Sequence, residues 1–275
     1  MSGPIVERLH PYGFRPVAMF LFVSAAAFGQ EATPPELQGI LNTLVSNREF
    51  YNSHIPDFFC AEHVISHLDT GNHFEHKQIE VSDGTFRLQR VSSETKTARL
   101  IESRSQMRIN GTASSKTELE GPLVLVNVFS RALDGISSNQ IGCATYSMEP
   151  STKSGNKDLA TIHFESTPGR TAGCAFAEFA SGTVTFDKHL QQTSRVDVTI
   201  PRHLISPNYF GKWRLSVEYG PVVLDEHTYW LPQKVTSTLI PTDEDGVIWW
   251  FTASYSDFHR YAVKSHIMEP SEVAP

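Results

Sequence analysis

Five of the chain's twelve histidines fall between positions 54 and 76, as His54, His63, His67, His73 and His76. A metal ion needs such nitrogens in one coordination sphere, and the four-residue step from His63 to His67 would supply that on a helix. The surrounding pattern is strand-like instead, and there a four-residue step separates side chains by ~13 Å. Only cross-strand pairing of His63 or His67 with His73 or His76 would gather ligands, so histidines flanking a hairpin, with no metal site, are the expected reading. Ser93-Glu94-Thr95-Lys96 has the Ser-x-x-Lys spacing of a nucleophile and its base, but its polar neighbours read as a loop. Asn110-Gly111-Thr112 fits a glycosylation sequon and, more simply, a tight turn. The sequence has no Gly-x-Ser-x-Gly elbow, His-Glu-x-x-His pair or phosphate-binding glycine loop. Asp187, Asp225 and Glu226 stand scattered in turn-like stretches, outside any constellation that would make an acid or base of them. No catalytic residue, metal or cofactor is assigned.

Cys60, Cys143 and Cys174 are the only cysteines. An odd number leaves at least one thiol unpaired within the chain. Cys143 with Cys174 is the favoured bridge, because both lie in the central β-rich region, on neighbouring strands, while Cys60 stands far upstream. Closing that loop would add ~3 kcal/mol by restricting the unfolded chain. The alternative is three buried thiols packed as small hydrophobes.

The elements that hold these residues follow from composition and periodicity. A chain of 275 residues that is 40% hydrophobic, 11% aromatic and 19% charged can bury a sizeable core and is not a disordered sequence. A formal charge of −7 disfavours nucleic acid as a partner. Arg8 and Arg15 precede an apolar run, Val17 to Phe28, that closes on Ala27-Phe28-Gly29. A basic start, a run too short for the ~20 residues of a bilayer core, and a small-x-small exit read as a secretory signal peptide over residues 1–29. An uncleaved anchor helix is the rival. After cleavage no stretch reaches transmembrane length, and the location is periplasmic or secreted.

Pro34-Pro35 opens a helix whose Leu37, Ile40, Leu41 and Leu44 share one face. Strand patterns follow, with Ser82-Asp83-Gly84 read as a hairpin turn and Asn110-Gly111 as another. Gly121-Pro122 opens a second apolar helix carrying Leu123, Leu125, Val126, Phe129 and Leu133. From Ile141 onward the pattern is β: strands are expected at 141–148, 159–165, 174–180, 183–186, 194–200, 212–219, 222–224, 229–240, 247–255 and 261–268, separated by turns that include Gly220-Pro221. Many antiparallel strands with two helices make an α+β fold. It occupies residues 30–268 as one domain, with 269–275 as a C-terminal tail. Along Trp213-Arg214-Leu215-Ser216-Val217 the apolar residues alternate to one side. On the closing strand Val247, Trp249 and Phe251 form the richer apolar face. One-sided strands create an apolar face that helices fill or a greasy ligand enters.

The order of the short motifs has a further implication. Ile55-Pro56-Asp57-Phe58-Phe59-Cys60 follows the first helix, then come Asp83-Gly84 and Gly121-Pro122-Leu123. Tyr219-Gly220-Pro221-Val222-Val223, Tyr229-Trp230-Leu231-Pro232 and Tyr255-Ser256-Asp257-Phe258 close the series. This resembles a group of uncharacterised secreted proteins common in acidobacteria, over roughly residues 35–268. Its layout is similar to the LolA/LolB-like lipoprotein carriers, which implies a strongly curved antiparallel half-barrel wrapped around one or two apolar helices. The expected role is a non-enzymatic envelope protein binding a lipid or a lipidated segment, with acyl chains or an envelope protein as partner. The ligand-facing set would be Leu125, Phe129, Trp213, Leu215, Val217, Trp249 and Phe251. A structural or protein-interaction module with a filled barrel is the alternative, and an unrecognised hydrolase is a third.

Overall fold

Helix α1 (Pro35–His54) is a 20-residue element with proline in its first turn, where the missing N–H leaves no bond unmade. Its stripe of Leu37, Ile40, Leu41 and Leu44 is buried, at 1–7% exposure. It ends before Pro56, which forces Ile55 into an extended conformation. The carbonyls left open at that end are met by side chains. Arg90 donates to Asn52 and Ile55 at 2.6 and 3.0 Å, and the Tyr229 hydroxyl donates to His54 at 3.2 Å.

This computed structural model describes residues 34–70, 75–93, 96–115, 128–131, 133, 136, 138, 140–149, 158–166, 174, 178–206, 209–242 and 247–261. All belong to one compact unit, Thr33–Pro275. Among them the strands are β1 (Phe58–Thr70), β2 (Glu75–Ser93), β3 (Lys96–Ile109), β4 (Thr112–Ala113), β5 (Ala144–Met148), β6 (Leu159–Ser166), β7 (Ser181–Asp187), β8 (Gln192–Ser206), β9 (Tyr209–Leu224), β10 (His227–Pro241) and β11 (Ile248–Arg260). They form one antiparallel sheet in the order β4-β3-β2-β1-β11-β10-β9-β8-β7-β6-β5. The chain meanders along each half, and β1 pairs with β11 to join first strand to last. The sheet does not close on itself. A second helix, α2, spans Val128–Arg131. No described helix is long and apolar enough to cross a membrane.

Two apolar clusters lie on the same face of β9, since Leu215 and Tyr219 pack against both. The first gathers Phe58, Phe86, Phe251 and Tyr255 around Phe129 of α2. The second sets the α1 stripe against Ile162, Val184, Phe186 and Val198.

Several sequence expectations are corrected here. Asp83-Gly84 is no hairpin turn but lies inside β2, facing His63 and Glu62 of β1. Partners on both sides outweigh the local turn preference, and β3 bulges where it passes between Asp83 and Thr85. A Cβ at Gly84 would stand 2.6 Å from the Met107 sulfur, so a larger residue there would have to move that flexible side chain. Gly220-Pro221 is likewise within a strand, opposite Leu231 and Trp230 of β10. The ladder between β8 and β9 runs no further than Glu218, so Pro221 sits where its missing N–H breaks no bond. The turn falls at Asp225-Glu226, with Asp225 at φ 57°. Of the strand expected at 174–180, Cys174 and residues 178–180 form bends and coil, and 175–177 lie outside the described residues. Leu123, Leu125 and Val126 of the expected second helix, and residues 262–268 of the expected last strand, lie outside the described residues. Asn110-Gly111 does form a tight turn, with φ of 48° and 81°.

A disulfide joins Cys143 to Cys174 with Cα atoms 5.9 Å apart. Neither cysteine is on a strand: Cys143 ends a 3₁₀ turn and Cys174 lies in a bend. Cys60 is a buried free thiol, and burial pushes its pKa up, with Glu62 adding to the effect. Unfolding without reductant should therefore expose one reactive thiol per chain. Three would show that the bridge does not form, and peptide mapping identifies the pair.

Candidate functional site

The α1 stripe continues past Leu44 onto Arg48 and Tyr51, by steps of four and three residues. Arg48 is only 3% exposed. Its guanidinium donates to the Ser130 carbonyl at 2.5 Å and lies 5.4 Å from the centre of the Tyr51 ring. The Tyr51 hydroxyl donates to the Phe129 carbonyl at 3.0 Å. From the opposite side, one Glu102 oxygen of β3 accepts the backbone N–H of Phe129 and of Ser130 and the Ser130 hydroxyl, at 2.8–2.9 Å. Helix α2 is thus held at its leading end by a carboxylate meeting its open N–H groups, and through its carbonyls by two side chains of α1.

Phe129 hangs from α2 into the first cluster at 2% exposure. Its ring stacks on Phe86 at 4.5 Å, meets Tyr255 edge-on at 4.8 Å and Phe58 at 5.8 Å. Beneath this aromatic group lies a charged pair. Arg104 of β3 makes a two-pronged contact with Glu62 of β1, at 2.6 and 2.8 Å. The Glu62 side chain is 1% exposed and that of Arg104 11%. The Tyr255 hydroxyl is buried beside them, and burial, reinforced by the Glu62 charge, keeps it protonated.

Between α1, α2, β9 and β10 is a cavity of about 80 Å³, walled by Leu44, Phe50, Phe129, Leu133, Ile136 and Tyr229 among others. Phe50 is 49% exposed and stacks on His54 at 4.4 Å. A larger hollow of about 460 Å³ on β5–β7 is lined by Thr145, Ser147, His163, Glu165 and Thr183. Tyr146 and Phe164 also line it, so its walls mix polar and aromatic side chains.

Of the residues expected to face a ligand, Phe129 reaches this cavity. Val217 and Phe251 are fully buried in the first cluster. Leu215 packs between the clusters, and Trp213 flanks the second while donating to the Ser237 hydroxyl at 3.0 Å. Trp249 is half-buried opposite Leu68 and Leu239. The set therefore shares a sheet face but does not converge on one opening. Arg48, Tyr51 and Glu102 were not foreseen. A continuation of the Leu44 stripe onto a cation was the available signal for Arg48, and a carboxylate in the inward phase of Cys60 and Val64 was the signal for Glu62. His63 bonds Asp83 at 2.7 Å and His67 stacks on Trp250 at 3.8 Å, while the His76 side chain lies outside what is described. His73 lies outside the described residues, among which no three His, Cys, Asp or Glu side chains could hold a metal.

Fold and site together define an open antiparallel sheet carrying two helices and a small, mostly apolar cleft over one face. No family model and no curated protein matches the chain. Among solved structures, a DUF1329 family protein from Desulfovibrio piger is similar at 10% identity and a TM-score of 0.42, over 86% of this chain and 98% of its own. A LolA superfamily protein from Nitrosomonas europaea is similar at 9% identity and a TM-score of 0.34, over 85% of this chain and 99% of its own. At these scores neither likeness carries an argument about the site.

Proposed function

We propose that this chain is an exported envelope protein that catalyses no reaction and shelters an acyl chain in the cleft beneath α2. Residues 1–29 serve as its export signal, 30–268 form the domain and 269–275 a tail, with the sheet curved as a half-barrel about its helices. The observation that carries the reading is the cleft itself, with mostly apolar walls from two helices and two strands and a roof whose described helical residues are Val128–Arg131. Its 80 Å³ is below the roughly 300 Å³ of ordinary ligand pockets, so an occupant displaces α2. That displacement must break the bonds from Glu102, Tyr51 and Arg48 and draw Phe129 out of the first cluster, so the acyl chain has to replace the contacts that the ring gives up. A filled sheet that takes no ligand is the second reading, favoured by the 2% exposure of Phe129.

Native mass spectrometry of the protein recovered from its source envelope tests the proposal. A chain beginning near residue 30 with an acyl-lipid mass added is the expected result. A bare mass, together with no binding of a fluorescent fatty-acyl probe, overturns the carrier reading, and a chain that still begins at Met1 overturns export by cleavage.

A further inference from the structure

The cleft walls include two neutral donors that lack an acceptor. Tyr219 of β9 and Trp230 of β10 both line the cavity. Tyr219 pairs with Pro232 and Trp230 with Pro221, so the two are diagonal neighbours on one face of the ladder. Such neighbours stand about 7 Å apart, within joint reach of aromatic side chains. The Tyr219 hydroxyl and the Trp230 Nε1 are shielded from solvent and have no hydrogen-bond partner among the described residues. An indole N–H can only donate. Burial pushes the Tyr219 hydroxyl pKa up, so this group keeps its proton and can donate it. Arg48 also lines the cavity but is already engaged, with the Ser130 carbonyl among its partners, so it adds no free charge. Buried donors left without acceptors are costly, and an occupant that places one oxygen between them answers both.

We infer that the cleft takes its acyl chain in a neutral carbonyl linkage, an ester or an amide, with the carbonyl oxygen seated between Tyr219 and Trp230. This rests on the acyl-chain reading above. A carbonyl oxygen has two lone pairs, one for each donor, and brings no proton of its own. A bare methylene run leaves both donors unmet, and a hydroxyl adds a third donor where two already lack acceptors. With Arg48 engaged, a carboxylate would bury a charge that two neutral donors offset only in part. Strands β9 and β10 are joined by their own ladder, so both donors keep their places when α2 moves aside. The chain beyond the carbonyl runs along Leu44, Leu133 and Ile136, which wall the same space.

The test loads the full mature chain separately with methyl dodecanoate, N-methyldodecanamide and dodecanoate, each with an isotopically labelled carbonyl. It reads what stays bound after gel filtration and where the infrared carbonyl band of the bound ligand lies. At least one of the two neutral ligands should be retained, and the one held more tightly separates an ester-linked from an amide-linked chain. Its band should lie below its position in dilute solution in dry hexadecane, because hydrogen bonds donated to the oxygen weaken the C=O bond. Tyr219→Phe and Trp230→Phe should each return the band part of the way and weaken retention about two- to tenfold. A neutral ligand retained by the wild-type chain with its band unshifted would overturn the carbonyl assignment and leave the acyl reading standing, as would retention of dodecanoate alone. A lowered band that neither variant moves would overturn its placement at these residues. Retention of none of the three would remove the acyl reading, and this inference with it. The wild-type band decides the linkage class without recourse to any variant.

Discussion

Phe129→Ala should lower the unfolding free energy by about 3–5 kcal/mol, the range for removing a packed aromatic ring from a core. The ring is 2% exposed and meets three other aromatic rings, so its removal loses transfer energy and leaves a hole that Phe58, Phe86 and Tyr255 close only in part. Urea melts of wild type and variant read the loss as a shift in midpoint. The ring also borders the cleft, so its removal joins new apolar volume to the existing cavity. A fluorescent fatty-acyl probe should then bind the variant at least as tightly as the wild type, despite the lower stability. A stability loss below about 1 kcal/mol would show a loosely seated plug in place of a core residue. A large loss with no probe bound by either protein would favour the filled-sheet reading.

Arg104→Ala should cost a similar amount, about 3–5 kcal/mol, by a different mechanism. Its partner Glu62 has a side chain only 1% exposed. Truncating the arginine leaves that carboxylate in apolar surroundings without its two charge-assisted hydrogen bonds. The arginine also lies 5.6 Å from the centre of the Phe86 ring, so its loss loosens the aromatic group that receives Phe129. The double variant Glu62→Leu, Arg104→Met separates the charge effect from packing. It should recover most of the lost stability, because a buried pair replaced by apolar side chains of similar size is often neutral or better. Equal losses in the single and double variants would place the cost in packing instead. Denaturant melts of wild type, Glu62→Leu, Arg104→Met and the double variant close the cycle.

The two variants probe the mobile and the fixed partner of one aromatic group, since Phe129 stacks on Phe86 and Arg104 lies against the same ring. If the helix opens to admit an acyl chain, Phe129 and the cap from Glu102 must release together, since Glu102 binds the N–H of Phe129 itself. The Glu62–Arg104 pair links β1 and β3 across the intervening β2 and stays with the sheet. Loss of that pair should reduce stability in the empty and the loaded protein alike.

What the sequence determined by itself is local. Leu37, Ile40, Leu41 and Leu44 fall on one side of a helix because of its 3.6-residue period, and that stripe is buried as the period requires. Alternation along Trp213 to Val217 placed those side chains on the sheet's apolar face for the same kind of reason, a two-residue period set by the backbone. Asn110-Gly111 turns because both residues accept a positive φ. The tertiary structure decided whatever depended on a distant neighbour. Asp83-Gly84 has turn chemistry in isolation, yet it extends because β1 and β3 supply ladder bonds on both sides and Met107 fills the space a side chain would take. Gly220-Pro221 extends because it pairs with Leu231 and Trp230 of β10. Arg48 and Ser130 are 82 residues apart, and Glu62 and Arg104 are 42 apart. No period links such positions, since a hydrogen bond between them exists only after the sheet has paired and brought its inward charges within reach.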